Sequence, residues 1–112
     1  MKYLMMLFRE EQTIDVSQAS VDAFRAFLKD AGEAGTRLGS NALQPAKSAT
    51  VVSVRQGRQI VTDGPFPDTK EQLAGYLLYD CADLNAAIEI AERLPYTSHG
   101  HVEIRPIVEI GG

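Results

Sequence analysis

The carboxylate of Asp63 is the first candidate for chemistry in this sequence. Asp63 precedes Gly64 and Pro65, so its backbone is tightly restricted and its carboxylate is held in one place. A carboxylate held in this way can take up a proton or orient a bound molecule. It can equally accept hydrogen bonds from its own turn, which is a common structural role of aspartate. Both interpretations, a turn cap and a catalytic or ligand-binding group, stay open at this point.

Polar side chains alternate with apolar ones along the last predicted strand, residues 101–108. His101, Glu103 and Arg105 share one face of that strand. If the apolar side chains face the helices, these three side chains point into a cavity on the opposite face of the sheet. Histidine is well suited to proton transfer near neutral pH, and an aspartate partner would fix its tautomer. A pair formed by Asp63 and His101 is therefore the most specific enzymatic hypothesis.

Each of these side chains also has a structural interpretation. Glu103 and Arg105 can neutralise each other or a residue of a second chain, because a buried charge is costly without a partner. In a cavity they would instead contact substrate, and arginine is a good anchor for a carboxylate. His99 and His101 flank Gly100, where a solvated loop histidine is common. Two histidines with no third ligand at a recognisable spacing are weak support for a metal site.

Five further side chains could line the same cavity or react there. Arg55 shares a strand face with Ser53 and is a candidate for substrate binding. Tyr3 and Tyr76 could present hydroxyls to substrate, although an aromatic in the core or an interface is the more common role. Cys81 has no base beside it and is expected to be a buried, inert thiol. No glycine-rich phosphate loop, G-x-S-x-G turn or HExxH helix is present, and we predict no metal and no cofactor.

Length, composition and charge exclude several classes of protein. The 112 residues support a single domain over residues 1–112, with a core small enough that oligomerisation is expected. Eleven basic and fifteen acidic residues give a net charge of −4, which disfavours nucleic-acid binding. The single cysteine excludes an internal disulfide. The early apolar run over residues 3–8 is too short for a membrane span or a signal peptide, which predicts a cytoplasmic protein without membrane association.

Apolar periodicity predicts the strands that position these side chains. Strand patterns occupy residues 2–9, 37–43, 49–55, 59–62, 75–81 and 101–108. A Gln56-Gly57 turn joins the third and fourth of them, with Gly57 supplying a positive φ. With two helices the order is β-α-β-β-β-β-α-β. This order predicts a ferredoxin-like α+β fold, in which an antiparallel sheet carries two helices on one face and a hairpin is inserted.

Capping residues and apolar stripes predict the helices. The first helix begins at Ser17 or Ser20. Asp83 caps the second helix, which ends at Pro95. The apolar stripe predicted for the second helix consists of Leu84, Ala87, Ile88, Ala91 and Leu94. The segment 68–71 has the spacing of a capping box, which predicts a short helical turn there.

The first strand is apolar on both faces, which predicts a second copy of the chain. One face carries Tyr3, Met5 and Leu7, and the other carries Leu4, Met6 and Phe8. Two helices can cover only one face of the sheet, so the other face would be a large exposed apolar patch. The economical cover is the same face of a second copy, packed about a two-fold axis. We therefore predict a homodimer.

Several motifs along the chain resemble those of one known family. They are Val61-Thr62-Asp63-Gly64-Pro65-Phe66, Thr69-Lys70-Glu71-Gln72-Leu73, Gly75-Tyr76, Met1-Lys2-Tyr3-Leu4, Ala31-Gly32, Leu43-x-Pro45, Ala49-Thr50-Val51 and Gly100-x-Val102-Glu103-Ile104-Arg105-Pro106. On these motifs the chain resembles, nearly end to end, the DGPF branch of the YCII-related proteins. It departs from the pattern at Phe8-Arg9-Glu10-Glu11, where many members carry a glycine or a small polar residue. If this turn lines the cavity mouth, the substrate could differ.

The resemblance implies a fold and an assembly, and it leaves the reaction open. It implies a dimeric α+β barrel, in which two ferredoxin-like sheets pack face to face around a cavity. Members of the branch are often encoded beside, or fused to, extracytoplasmic-function sigma factors. One hypothesis is a small cofactor-independent enzyme, in which Asp63 with His101 moves a proton and Arg55 or Arg105 holds an anionic group. The alternative is a non-catalytic module that binds a small-molecule ligand in a sigma-factor circuit.

Overall fold

The computed structural model describes residues 1–30, 34–65, 69–94 and 100–110. Within these residues the strands are Lys2–Glu10 (β1), Gly35–Ala42 (β2), Thr50–Arg55 (β3), Arg58–Asp63 (β4), Glu71–Cys81 (β5) and Gly100–Pro106 (β6). The helices are Gln18–Asp30 (α1) and Leu84–Glu92 (α2), with short 3-10 turns at Glu11–Thr13 and Ala46–Ser48. The order of elements confirms the prediction, although β6 ends two residues earlier than expected.

One antiparallel sheet organises the fold. Its strand order is β2-β5-β1-β6, so β1 and β5 are central and β2 and β6 are edges. The helix α1 connects β1 to β2, and α2 connects β5 to β6. This is the ferredoxin-like α+β arrangement that the element order predicted. Among the described residues, β3 and β4 pair only with each other and form the inserted hairpin.

The core lies between the sheet and the two helices. Its buried side chains are Tyr3, Met5, Leu7, Phe24, Phe27, Leu77, Tyr79, Cys81, Ala87, Ile90, Ala91 and Leu94. Burial of Cys81 confirms the expectation of an enclosed thiol. Val102 and Ile104 pack against this core from β6, so the apolar side of that strand faces the helices. The polar side of β6 therefore lies on the opposite face of the sheet.

Ser17 caps the first helix. Its hydroxyl accepts a hydrogen bond from the amide of Ser20 at 3.4 Å, so the structure selects Ser17 from the two caps that the sequence allowed. The carboxylate of Asp15 accepts a hydrogen bond from the amide of Ser17 at 2.9 Å. This bond holds the pKa of Asp15 below its ordinary value, because the ionised carboxylate is the better acceptor. No described helix is long and apolar enough to cross a membrane.

The second helix is rotated relative to its predicted orientation. Asp83 caps it as expected, accepting a hydrogen bond from the amide of Ala86 at 2.9 Å. The predicted stripe is wrong at Leu84 and Ile88, which are exposed, whereas Ile90 is buried. This helix has apolar side chains on two sides, and the side that carries Ile90 packs against the apolar surface of the sheet. Tertiary packing, and not the local pattern, determines which side is buried. The predicted end at Pro95 lies outside the described residues.

The helical turn predicted for residues 68–71 is wrong in its described part. Glu71 is the first residue of β5 and pairs with Glu10 of β1. The hydroxyl of Thr69 donates to the carbonyl of Glu71 at 2.7 Å. Asp68, the expected cap, lies outside the described residues. An isolated helical turn is marginal in water, and here the hydrogen bonds of the β1 ladder replace it.

The hairpin extends away from the rest of the chain. The turn between its strands confirms the prediction, with φ of 53° at Gln56 and 77° at Gly57, as in a type I′ turn. Every residue of β4 is exposed. The radius of gyration is 15.7 Å, larger than the about 13 Å typical of a compact domain of this length. The hairpin of β3 and β4, called the arm below, is therefore not covered by the rest of the chain.

Candidate functional site

The face of the sheet opposite the helices, called the open face below, carries the polar row of β6. Strand register places three pairs side by side there: Leu4 with Arg105, Met6 with Glu103, and Phe8 with His101. The same face receives Leu78, Tyr76 and Leu73 from β5, opposite Leu4, Met6 and Phe8. All six of the β1 and β5 side chains remain partly or fully accessible. The open face is thus apolar along its two central strands and polar along its β6 edge.

A β-bulge in β5 decides which residues join this face. Leu7 pairs with Gly75 and Phe8 pairs with Leu73, so Ala74 is an extra residue between them. Side chains alternate along a strand, and one extra residue moves every earlier side chain to the other face. The bulge therefore brings Glu71 to the face that carries His101.

His101 and Glu71 form a hydrogen-bonded pair on the open face. Nδ1 of His101 lies 2.6 Å from Oε2 of Glu71. With a carboxylate as its neighbour, Nδ1 carries the proton and donates it, which leaves the lone pair on Nε2. The imidazole also stacks on Phe8, with ring centroids 5.0 Å apart and an interplanar angle of 12°. The ring is thus fixed by a hydrogen bond at one nitrogen and by an aromatic surface beneath it.

Gly100 allows β6 to approach β1 closely enough for this stacking. It pairs with Arg9 and directly precedes His101. A Cβ atom at position 100 would collide with the carbonyl oxygen of Phe8. Any side chain here would push the start of β6 away from β1, and with it the imidazole from Phe8. Glycine is therefore required at this position for steric reasons.

An open cavity of about 700 Å³ lies beside the pair, within the size range of small-molecule sites. It is lined by Phe8, Glu10, Thr69, Lys70, Glu71, Gln72, Leu73, His101 and Glu103. Nζ of Lys70 lies 3.1 Å from Oε1 of Glu10, and Nε2 of Gln12 donates to Oε2 of Glu10 at 2.7 Å. Three carboxylates against one lysine make this cavity acidic.

The arrangement can move a proton. A general base needs a lone pair that a substrate can reach and a group that stabilises its protonated form. His101 lines the cavity and has Glu71 at Nδ1, so Nε2 can serve as such a base for a molecule that enters the cavity. Among the described residues, no group of three histidine, cysteine, aspartate or glutamate side chains is placed to hold a metal ion. His99 lies outside the described residues.

The structure does not bring Asp63 to His101 within one chain. Asp63 is exposed at the base of the hairpin, where it pairs with Thr50, and its carboxylate bonds to no other described residue. Arg55 lies at the far end of the same hairpin, where Nη1 donates to the carbonyl of Val54 at 3.0 Å. Both candidates therefore lie on the arm, and neither is bonded to His101, whose imidazole pairs with Glu71.

The remaining candidate residues lie on different faces of the sheet. Glu103 and Arg105 lie on the open face and form no ion pair with each other. Tyr3 is 5% exposed and lies in the core on the helix-covered face, which removes it from the candidate site. Tyr76 lies on the open face, and its hydroxyl accepts a hydrogen bond from Nδ2 of Asn41 at 2.8 Å.

Comparison of the sequence with models of known protein families assigns it to one of them. A family model of the YCII-related domain matches residues 1–111. The chain belongs to the YCII-related family. An uncharacterised protein of Rhizobium meliloti (strain 1021) is 45% identical over 67 residues, which is 58% of this chain and 54% of that protein. The chain thus matches about half the length of that relative.

Two residues of this YCII-related protein's site were missed by sequence reasoning. The sequence places Glu71 in a helical turn, and it places Phe8 in the apolar strand and at the start of the turn that could line the cavity mouth, without a role beside His101. The period-two pattern of β5 reaches Glu71 only if one extra residue is allowed next to Gly75. The pair of small residues Ala74 and Gly75 was the available signal, because a glycine inside a strand often marks a bulge.

Proposed function

We propose that this YCII-related protein is a cofactor-independent enzyme that transfers a proton within a small polar organic molecule. His101 is the general base and Glu71 is its positioning residue. The observation that carries the proposal is the 2.6 Å contact between Nδ1 of His101 and Oε2 of Glu71, beside an open cavity of about 700 Å³. A histidine oriented by a carboxylate and open to a cavity of this size is an arrangement that supports general base catalysis.

The chemistry needs no oxidant and no second reactant. Nε2 of His101 takes a proton from an acidic C–H or O–H bond of the substrate, and the electron pair of that bond moves into the substrate. The imidazolium that forms is stabilised by the Glu71 carboxylate at Nδ1. Nε2 then returns the proton to a different atom of the substrate, so the net reaction is an isomerisation. Proton transfer of this kind contributes about 10²–10⁴-fold in rate.

The other polar residues of β6 on the open face differ in their distance from His101. Successive residues of a strand rise about 3.3 Å, so Glu103 lies about 7 Å along the strand from His101 and Arg105 about 13 Å. A small substrate beside His101 reaches Glu103. Arg105 contacts only a longer molecule, in which it holds an anionic group.

The protein is proposed to act as a homodimer built on the open face. An accessible sheet face with Leu4, Met6 and Phe8 at its centre is an unusual surface for a soluble monomer, and a second copy about a two-fold axis would enclose it. Assignment to the DGPF branch is part of the same proposal. It is supported by the sequence Asp63-Gly64-Pro65-Phe66, which begins at the last residue of β4.

Proton exchange in D₂O tests the activity even though the substrate is unidentified. A panel of small carbonyl compounds and lactones is incubated with the protein, and deuterium incorporation is followed by ¹H NMR. We expect His101→Gln to abolish incorporation and Glu71→Gln to slow it by about 10²-fold or more, with KM nearly unchanged. The matched control is Glu89→Gln, which changes an exposed glutamate of α2 and should leave the rate as it is.

Two outcomes would contradict the proposal. Full activity in His101→Gln would show that the base is another group. Saturable binding of panel compounds by ligand-observed NMR, with no exchange of any bound compound, would favour the alternative of a ligand-binding module in a sigma-factor circuit.

A further inference from the structure

A second cavity adjoins the one beside His101. It has a volume of about 400 Å³ and lies where the arm joins the rest of the chain. Gln72 and Leu73 line both cavities, so the two are neighbours. The lining of the second one, called the apolar cavity below, includes Leu43, Pro45, Ala49, Val51, Pro65 and Leu73.

The two cavities differ in chemical character. The cavity beside His101 is lined by three glutamates and one lysine. No described residue that lines the apolar cavity carries a charged side chain. Leu73, which the two cavities share, is 36% exposed. A cavity of this kind holds a ligand mainly by removing apolar surface from water, whereas the first cavity holds it by polar contacts.

The strand order of the sheet gives the direction from one cavity to the other. Phe8 pairs with His101 on one side and with Leu73 on the other. Neighbouring strands are about 4.8 Å apart, so Leu73 lies about 10 Å from His101 across the sheet. The amide of Leu43 donates to the carbonyl of Ala74 at 2.8 Å, which places Leu43 on the side of β5 that faces away from β1. A ligand that occupies both cavities must therefore extend beyond this distance.

The wall of the apolar cavity is held in place by hydrogen bonds. It is formed by the irregular segment between β2 and β3, whose start is fixed to β5 by the amide of Leu43. Glu11 accepts a hydrogen bond from the amide of Ala46 in the middle of the segment, at 3.0 Å. At its end the carbonyl of Ala49 accepts one from the amide of Gly64, at 2.8 Å. A wall held in this way exists before a ligand binds, as is usual for small-molecule sites.

The cavity beside His101 lies at one end of the open face. Phe8 is near the end of β1 and Leu73 is near the start of β5, whereas Leu4 and Leu78 pair at the opposite end of the same face. A second copy whose two-fold axis passes near Met6 can enclose the open face and leave the cavities for a ligand. A site that extends into the apolar cavity is therefore compatible with the proposed homodimer.

We infer that the substrate of His101 carries an apolar group that binds in the apolar cavity. The reacting atoms lie beside Nε2 of His101, and the apolar group crosses Leu73 to contact Leu43 and Val51. The reacting end is uncharged, because three glutamates against one lysine repel an anion. The substrate class is thus a carbonyl compound or lactone with an alkyl or aryl group. This inference rests on the proposed function and adds the class of substrate to it.

The length of the alkyl chain tests the inference. A homologous series of methyl ketones, lengthened one methylene at a time, is assayed for deuterium incorporation in D₂O. We expect kcat/KM to rise about threefold for each methylene that passes Leu73, because each one is removed from water, and to level off when the apolar cavity is full.

Two variants of the apolar cavity show where the selectivity arises. Ala49→Leu fills the cavity and should lower the ratio of kcat/KM between the longest and the shortest ketone about tenfold or more. Leu73→Thr changes the residue that both cavities share and should lower the same ratio, which covers the case in which a leucine at position 49 disturbs the fold. The matched control is Ala82→Leu, the same change at an exposed position between β5 and α2, which should keep the native ratio.

The outcomes separate this inference from the proposed function. Exchange that depends on His101 but not on chain length would overturn the inference and leave the proposed function standing. So would a native ratio in both Ala49→Leu and Leu73→Thr. Absence of exchange from every ketone, lactone and carbonyl compound assayed would contradict the proposed function and, with it, the inference about its substrate.

Discussion

His101 and Glu71 form a hydrogen bond that crosses β1. They lie on β6 and β5, the two strands that flank β1 in the sheet. Nδ1 of His101 lies 2.6 Å from Oε2 of Glu71, and the imidazole stacks on the ring of Phe8 in β1. Strands two positions apart in a sheet are about 10 Å apart, so only long side chains leaning toward each other make such a contact. The pair therefore depends on the register of both strands against β1.

Removal of Glu71 should change the tautomer of His101. In the native protein the Glu71 carboxylate accepts the Nδ1 proton, whereas Glu71→Ala leaves Nδ1 without this acceptor. We expect the ¹⁵N chemical shifts of the imidazole to report a proton on Nδ1 in the native protein and a mixture of tautomers in Glu71→Ala. Glu103→Ala is the matched control, since it removes a carboxylate from the same cavity without touching the imidazole. Identical nitrogen shifts in all three proteins would refute the pairing.

Gly100→Ala should destabilise the protein and disorder the site together. The added Cβ would collide with the carbonyl of Phe8, and relief of the collision requires a shift of β6. We expect a loss of about 2–4 kcal/mol in the free energy of unfolding, measured in urea. The control is Gly39→Ala, where no atom lies within 4 Å of the added Cβ, and a change under about 1 kcal/mol is expected. Equal effects at the two glycines would argue against close approach of β6 to β1.

The hydroxyl of Tyr79 should be dispensable for stability. It is fully buried and has no hydrogen-bond partner within the described part of the chain. Tyr79→Phe removes an unsatisfied polar group, so we expect the free energy of unfolding to stay unchanged or to rise by about 1 kcal/mol. Tyr76→Phe is the contrasting variant, because it removes the acceptor of the Asn41 hydrogen bond and should cost about 0.5–1 kcal/mol. Thermal unfolding of both variants gives the comparison.

Stability should fall in alkaline solution through two buried groups. Burial raises the pKa of the Cys81 thiol above its ordinary 9.0, and burial likewise raises the pKa of the Tyr79 phenol above its ordinary 10.0. The unfolded chain then loses these protons at lower pH than the folded chain does. Their contribution to stability is complete below pH 9 and declines as the pH rises through and beyond these ordinary values.

The alkaline decline can be assigned with one variant. Cys81→Ala combined with Tyr79→Phe removes both groups, and its free energy of unfolding should fall less steeply between pH 8.5 and 11 than that of the native protein. The relevant comparison is the slope against pH, since the double variant has its own stability at neutral pH. Parallel curves for the two proteins would assign the decline to other groups.

Glu11 should stabilise the chain segment that leads into the hairpin. Its two carboxylate oxygens accept hydrogen bonds from the amides of Ala46 and Lys47, at 3.0 and 3.3 Å. Glu11→Ala leaves both amides without these acceptors, and we expect a loss of about 1–2 kcal/mol in the free energy of unfolding. Glu109→Ala, at an exposed position after β6, is the control and should change stability by less than about 0.5 kcal/mol.

The sequence by itself determined the order of elements and the ferredoxin-like fold. Those features depend on local patterns, such as the change of apolar period between strand and helix and the turn chemistry of Gln56 and Gly57. It also indicated that one face of β1 lacks a cover, because the apolar side chains on both faces are visible in the strand itself.

Only the tertiary structure decided which carboxylate His101 meets. The segment around Glu71 has a local pattern that fits a capped turn. It forms a strand instead, because it pairs with β1. The bulge at Ala74 then set the face on which Glu71 lies, and a register shift of one residue would have placed it on the other. The orientation of α2, with Ile90 buried in place of Ile88, was decided in the same way. Both outcomes depend on contacts between residues far apart in the chain, which no local spacing records.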